Sequence, residues 1–348
     1  MKASEPGGAR QGKVTIRQVA EAAGVSIATV SRVVNSHSDV SAETRQAVER
    51  VLRERGYPAG SRRSRTAKKT GLIGVTMPLV HPGYFAQILS GAAEALYEQG
   101  MRAVICPTRH SHERETSLID RLASGDADGA VLVLPEESAG ELGALAAHDF
   151  PFVVVDPRTD VPDGIPVVCA AHSSGATQAT AHLLGLGHRR IGVIGGPEGW
   201  TATQERLRGY YGALAGAGVL PDETLVRYSN FRLDGGREEA AALLSLPDPP
   251  TAVFAFNDSM AIGVMQEAAA RGLRIPDDCS VVGFDDTVEA AVVVPALTTV
   301  RQPLAELGRT AISVLLRQLS NSGFEPLRIE LETRLVPRNS TGIPQTRH

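Results

Sequence analysis

Aromatic residues make up only 4% of the 348-residue chain, which carries one tryptophan and three cysteines. Cys106, Cys169 and Cys279 lie more than sixty residues apart with no C-x-x-C pair, which excludes a disulfide framework, a zinc ribbon or a redox dithiol. They read as small buried apolar residues. No apolar run approaches the roughly eighteen residues of a membrane-spanning helix. The opening MKASEPGGARQGK lacks the apolar stretch of a signal peptide, so a cytoplasmic protein with no membrane partner is expected. Catalytic motifs are missing as well. There is no G-x-S-x-G elbow and no G-x-x-x-x-G-K-[ST] loop. His182 and His188 stand six apart with no glutamate between them, which is not a zincin pair. The run Gly195-Gly196-Pro197-Glu198-Gly199 puts a proline where a phosphate cradle needs an N–H. No enzyme, no cofactor and no metal site is expected.

What is present is an ordinary soluble balance of 43% hydrophobic and 21% charged residues, in a chain long enough for two or three domains. Such a chain buries roughly three quarters of its unfolded surface and needs no metal or disulfide to hold together. The net charge of -4 conceals a separation. Residues 1–70 hold 14 Lys+Arg against 6 Asp+Glu, a balance of +8, and the remainder holds 21 against 33. A basic head on an acidic body fits a phosphate-facing module joined to a separate regulatory body.

The head spans residues 13–57, after a disordered tail over 1–12. Ile16, Val19, Ala20 and Ala23 fall at helical spacing behind Thr15 as cap, and Gly24 ends the helix. Ser26 then caps a second short helix that turns Val30, Val33 and Val34 inward and Ile27, Ala28, Ser31 and Arg32 outward. A third helix runs from a Ser41 cap through Val48, Val51 and Leu52 to Gly56. Two helices joined by a Gly-containing turn form a helix-turn-helix, whose second helix enters the DNA major groove while helix starts meet phosphates.

The run VTIRQVAEAAGVSIATVSRVVN, continued by VSAETRQAVERVLRERGY, resembles the DNA-binding head of the lactose-repressor family of transcription regulators (LacI/GalR type) over about 45 residues. The resemblance implies that Ile27, Ala28 and Arg32 face base edges, with Thr15, Ser26, Thr29 and Asn35 near phosphates. Arg32 can bond bidentately to guanine, whereas Ile27 and Ala28 are suited to a thymine methyl. Residues 58–70 form a basic linker with Arg62, Arg63 and Arg65 at its centre. In the family this stretch folds on DNA and wedges a leucine into the minor groove. No leucine stands between Tyr57 and Leu72, so the expected contact is arginine to minor groove and phosphate, with the salt dependence of counterion release. A flexible solvated linker is the alternative.

From Leu72 the pattern becomes strand-helix alternation, which predicts an α/β body of two doubly wound parallel-sheet lobes. Expected strands are 72–77, 103–106, 129–134, 152–155, 191–194, 252–256 and 280–284, with helices over 85–99 and 175–186. The pattern restarts near Val167. The N-lobe is therefore set at about 71–166 and 301–322, the C-lobe at about 167–300 and 323–340, with a tail over 341–348. In such sheets ligands bind beyond the carboxyl ends of the strands. Those positions hold Asp156, Asn257-Asp258 and Asp285-Asp286, acceptors suited to hydroxyl-rich ligands.

The segments HLLGLGHRRIGVIGGP, ERLRGYYGAL, AVFAFNDSMAIGVM, DCSVVGFDDT and PALTTVRQP resemble the same family's regulatory domain, a relative of periplasmic sugar-binding proteins. The resemblance implies an effector cleft lined by Asp156, Arg206, Phe231, Asn257, Asp285 and Gln302, with Met77 and Phe85 from the first lobe. Two departures stand out. Val133 occupies a strand end where relatives use a polar group, and Ala171-His172 replaces an acidic or amide pair. His172 is read as an exposed loop histidine. The resulting expectation is a repressor that binds a pseudo-palindromic operator as a homodimer, two recognition helices about 34–36 Å or a multiple of that apart, switched by a small molecule: a sugar leads, purines and other metabolites stay open, and both induction and corepression are allowed. No leucine-heptad tail follows Val336-Pro337-Arg338, so a dimer is expected. A small-molecule sensor with a vestigial head is the rival reading.

Overall fold

The computed structural model of the chain describes residues 16–34, 40–55, 69–80, 83–148, 150–320 and 324–345. They fall into two units, divided between Lys68 and Lys69. In the first unit, α1 (Ile16–Ala23), α2 (Ile27–Val34) and α3 (Ala42–Glu54) enclose Val19, Ala20, Val30, Val33, Val48, Val51 and Leu52. Gly24, at φ 66°, makes the turn between α1 and α2, a backbone region that favours glycine. Ser26 Oγ accepts the Thr29 amide at 3.0 Å and Ser41 Oγ the Thr44 amide at 3.3 Å, so both caps form as the sequence pattern predicts. The Thr15 cap and the Gly56 stop lie outside the described residues.

The second unit is two parallel sheets with helices. The first lobe holds β1 (Leu72–Met77), α4 (Tyr84–Glu98), β2 (Arg102–Pro107), α5 (His112–Arg121), β3 (Gly129–Val133), α6 (Ala139–Ala146), β4 (Phe152–Val155) and β5 (Val167–Ala170). The chain then crosses to α7 (His172–Gly185), β6 (Ile191–Gly195), α8 (Thr201–Gly216), β7 (Val226–Tyr228), α9 (Leu233–Leu244), β8 (Ala252–Ala255), α10 (Asp258–Ala270), β9 (Ser280–Asp285), α11 (Val288–Val292) and β10 (Thr298–Arg301). It returns for α12 (Leu304–Ser320) and β11 (Arg328–Leu331), and crosses once more to β12 (Arg334–Val336). The strand orders are β11-β5-β4-β3-β1-β2 and β12-β10-β9-β8-β6-β7. All pairs are parallel except β10 with the edge strand β12.

Four expectations need correction. The pattern that restarts at Val167 is not the second lobe but β5, whose Val167 and Val168 pair with Val154 and Val155 of the first sheet. Likewise β11, placed by sequence in the C-lobe, pairs with β5 in the first. Conversely Arg301, assigned by sequence to the N-lobe, ends β10 in the second sheet, so the return crossing begins after it. The crossings thus fall at Ala171, at Gln302-Pro303 and at Glu332-Thr333, and Thr333 Oγ1 ties the third to the first by donating to Ala171 O at 3.0 Å. Nor is 341 the start of a tail. Gly342 O lies 2.9 Å from the buried His188 Nε2, and Thr341 Oγ1 lies 3.0 Å from His182 Nε2. The two histidines that fail the zincin spacing serve to pin the chain's last described stretch to the second lobe.

Helices α4 and α12 cover one face of the first sheet and approach closely through two glycines. A Cβ at Gly91 would stand 1.8 Å from Ala305 O, and one at Gly308 2.0 Å from Ile88 O. Backbone cannot yield as a side-chain end can, so Gly308→Ala should destabilise the body by about 1–3 kcal/mol through overpacking. A urea-unfolding midpoint equal to that of the parent protein would refute this.

Candidate functional site

On the head, α2 presents Ile27, 49% exposed, beside exposed Ser26, Ala28 and Arg32, with Thr29 half-buried. Ser26 Oγ and Thr29 Oγ1 lie 2.8 Å apart, so the helix start and its first-turn hydroxyls form one polar end. Thr15, Asn35, Arg62, Arg63 and Arg65 lie outside the described residues.

In the body, the strand ends of the two lobes meet in one buried polar network. Asp156, just past β4, accepts Ala170 N at 3.1 Å and the Tyr84 hydroxyl, and lies 3.3 Å from His172 Nε2. His172 opens α7 directly after the first crossing and is 6% exposed. Its Nδ1 stands 3.2 Å from Arg206 Nη2, which carries the network into the second lobe. Arg206, on α8, also donates from Nη1 to Phe256 O and lies 3.8 Å from the centre of the Phe284 ring and 6.0 Å from that of Phe231. Asp285, the last residue of β9, accepts Gln302 Nε2 at 2.6 Å, where Gln302 sits on the second crossing. The site therefore draws on two of the crossings as well as on strand ends and α8.

Several of these residues sit in strained backbone. Asp156 has φ 45°, Phe231 φ 61° and Asp285 φ 126°, a region costly for a side chain outside glycine and typical of ligand-binding positions. Phe231 is held by Asn257, whose Nδ2 donates to Phe231 O at 2.9 Å while its Oδ1 accepts Met260 N at 2.8 Å as the cap of α10. The Phe231 ring lies over Gly196, where a Cβ would fall 1.9 Å from it.

Burial governs the site's electrostatics. Asp285 is pushed well above the usual carboxylate range by burial and by its neighbour Asp258, against the pull of Arg206 and Gln302. Burial works the same way on Asp156, but His172, the Tyr84 hydroxyl and the Ala170 amide outweigh it and hold this carboxyl below the usual range. Tyr84 is raised, by burial and then by Asp156. Arg206 is lowered by burial, while Asp285 and Asp156 favour its charge. One ionised carboxylate thus faces one buried cation, with a second carboxyl inclined to keep its proton. Buried atoms without a protein partner here are Arg206 Nε, Gln302 Oε1 and Thr203 Oγ1, a donor, an acceptor and a hydroxyl. With Phe284, Phe231 and Trp200 as apolar walls, the arrangement suits a neutral ligand bearing hydroxyls.

Of the residues marked by sequence, Asp156, Arg206, Phe231, Asp285 and Gln302 are brought together and Asn257 supports Phe231. Met77 is not: it is fully buried in the first lobe's core. Phe85 packs edge-on against Tyr84, with ring centres 5.1 Å apart, and it is Tyr84 that reaches Asp156. The exposed histidine expected at 172 is instead buried, because α7 starts at once after β5 and points it into the network. Asp258 and Asp286 brace the second lobe: the first accepts Thr287 N at 2.7 Å and the Thr299 hydroxyl, the second pairs with Arg301 and Arg338. Trp200 and Arg158 were missed, although the chain's lone tryptophan was itself a signal. Among the described residues no group of His, Cys, Asp and Glu could hold a metal, and no helix is long and apolar enough to cross a membrane.

Residues 15–59 match the bacterial regulatory proteins of the lacI family, and residues 180–341 a periplasmic binding protein-like domain. The HTH-type transcriptional regulator DegA of Bacillus subtilis (strain 168) is 36% identical over 334 residues, 94% of this chain and 98% of its own. The chain belongs to the lacI family. Among solved members, the complex of the transcriptional regulator CelR with cellobiose matches with a TM-score of 0.74 at 34% identity, covering 94% of this chain and 99% of CelR. The lac repressor dimer bound to operator and the anti-inducer ONPF matches at 0.71 and 29% identity, over 95% and 100%. Like its lacI-family relatives, the protein is a DNA-binding transcriptional regulator with an effector-binding body, and those relatives are regulators rather than enzymes.

Two outcomes follow from the geometry. Gly196→Ala should displace the Phe231 ring and leave the fold intact, visible as a changed Trp200 environment in near-UV circular dichroism, since those rings are 5.5 Å apart. Asp258 is pushed up to about 7 by burial, with Asp286 adding to the rise against its hydrogen bonds. Its folded pKa exceeds the unfolded value of about 3.9, so its stabilising effect is complete below about pH 4 and is lost as pH rises through about 7. Asp258→Asn should flatten this part of the stability-pH curve. An unchanged slope in urea titrations across that window would contradict the assignment.

Proposed function

We propose that the protein is a cytoplasmic repressor, not an enzyme, that binds a pseudo-palindromic operator as a homodimer and is switched by a sugar held between the lobes of its body. The observation that carries this is the Asp156–His172–Arg206 chain with Asp285 and Gln302, drawn from both lobes and from two crossings. A ligand there acts through its differential affinity for the two lobe arrangements, which is what an effector must have. The alternating donors and acceptors, the aromatic walls and the cellobiose held by the relative CelR support a sugar.

For DNA, the exposed Ile27, Ala28 and Arg32 read base edges, while Ser26 and Thr29 meet phosphate. Thr15, Asn35 and the linker arginines Arg62, Arg63 and Arg65 add phosphate and minor-groove contacts. The intact Ser26 cap and the basic balance of residues 1–70 favour this over a vestigial head. Effector contacts fall to Asp156, Arg206, Phe231, Asp285 and Gln302, with Asn257 as support.

Selection of bound sequences from a random DNA pool by the full-length protein should enrich a two-fold symmetric site. With that site as probe, Arg32→Ala should lose about 1–3 kcal/mol of discrimination at one symmetric base pair. Asp285→Ala and Arg206→Ala should abolish release or tightening by sugars while operator affinity stays near that of the parent. Folded variants that lost DNA binding would count against the cleft, and enrichment of no symmetric site against the regulator reading.

A further inference from the structure

Arg158 stands two residues beyond Asp156 on the first lobe, in a socket made by that lobe. Its Nη1 pairs with Glu136 Oε1 at 2.8 Å, the two side chains being 12% and 14% exposed. Its Nη2 lies 3.5 Å from His110 Nδ1. From this socket the guanidinium reaches the second lobe and lies 4.5 Å from the centre of the Trp200 ring. The backbone spans the same seam, because Arg158 O accepts both the amide of Thr201 at 2.8 Å and its hydroxyl at 3.2 Å. Thr201 is the first residue of α8, and Trp200 before it supplies no side-chain cap. A helix start leaves backbone donors unsatisfied, so α8 takes an acceptor from the opposite lobe. The same helix carries Arg206, and the Trp200 ring packs on Phe231, which faces Arg206.

We propose that Arg158 is a positioning residue that latches the two lobes at the mouth of the cleft, its cation on Trp200 and its carbonyl on the start of α8. The side chain of Arg158 meets Trp200 and its carbonyl meets the next residue, Thr201, across the seam, and Glu136 holds the guanidinium in place from behind. The latch rests on the cleft reading above for its consequence: if only latched protein binds effector tightly, affinity scales with the latched fraction. Arg158 touches no reacting group and sets no chemistry. It determines how much of the protein has α8, and with it Arg206, presented to the first lobe.

The test uses full-length protein without ligand or DNA. Trp200 is the only tryptophan, so indole emission comes from this ring alone and reports its surroundings, Arg158 and Phe231 together. Arg158→Met keeps the stem and removes the cation. It should shift the emission and speed deuterium exchange at the Thr201 amide by about tenfold, the size expected for losing a desolvated cation–ring contact. Arg158→Lys should restore both, since it keeps a cation within reach of the ring and of Glu136. Glu136→Gln, which leaves α8 and Trp200 untouched, should speed the same exchange by about threefold, and it serves if Arg158→Met fails to fold. Unchanged exchange at Thr201 in either folded variant overturns the latch, whatever the emission does. Equal acceleration in the Lys and Met variants overturns it too, because shape and not charge would then be responsible. The effector reading fails separately, on absence of sugar response in the parent protein.

Discussion

A guanidinium removed from water is the constraint around which the body is arranged. Arg206 is 4% exposed, and a buried cation costs several kcal/mol unless charge and hydrogen bonds compensate it. The compensation comes from every quarter: a carbonyl at the end of β8, a ring beneath, a histidine at the first crossing, and the fields of Asp285 and Asp156 from the ends of β9 and β4. Because those partners belong to both lobes, the seam between the lobes is a charge-balanced joint and not a plain apolar contact. Parting the lobes would leave Arg206 and Asp156 to be resolvated separately, which makes a bistable element of the joint and gives a ligand something to bias.

The same joint explains what could and could not be read from the residues. The helix-turn-helix was legible because its signals are local: Gly24 at the turn, Ser26 and Ser41 as caps, valines at helical spacing. Strands such as Leu72–Met77 and Phe152–Val155 were legible because a strand buried on both faces is a continuous apolar run. Three of the four edge strands were not, β2 being the exception. The short β7, β11 and β12 contain Arg227, Arg328, Glu330 and Arg334 among apolar residues and are half-wet, so their pattern is weak and their sheet is set by distant pairing. Val167 begins a clear apolar run, but only its pairing with β4 and with the distant β11 shows which sheet it joins.

Within the site, acids at strand ends were legible as a set, but their division of labour was not. Asp156 and Asp258 occupy similar places after a strand, yet one meets a histidine and a tyrosine from elsewhere in the fold while the other is absorbed by Thr287 and Thr299. Which of these happens depends on residues more than a dozen positions away. His172 escaped for the same reason, since a histidine after an alanine at a loop carries no mark of the aspartate and arginine that will surround it.

The order in which the strands are laid down has a consequence for biosynthesis. The first sheet is completed by β11 and the second by β12, so each lobe waits for a strand encoded after all its others. On the ribosome, the first lobe would stand for most of synthesis with the outer edge of β5 unpaired, an open template for wrong strands. The head, whose core closes over residues 19–52, faces no such wait. Newly made protein therefore acquires a surface for DNA before it acquires a body able to answer a ligand, and a chain cut before β11 would retain the first without the second.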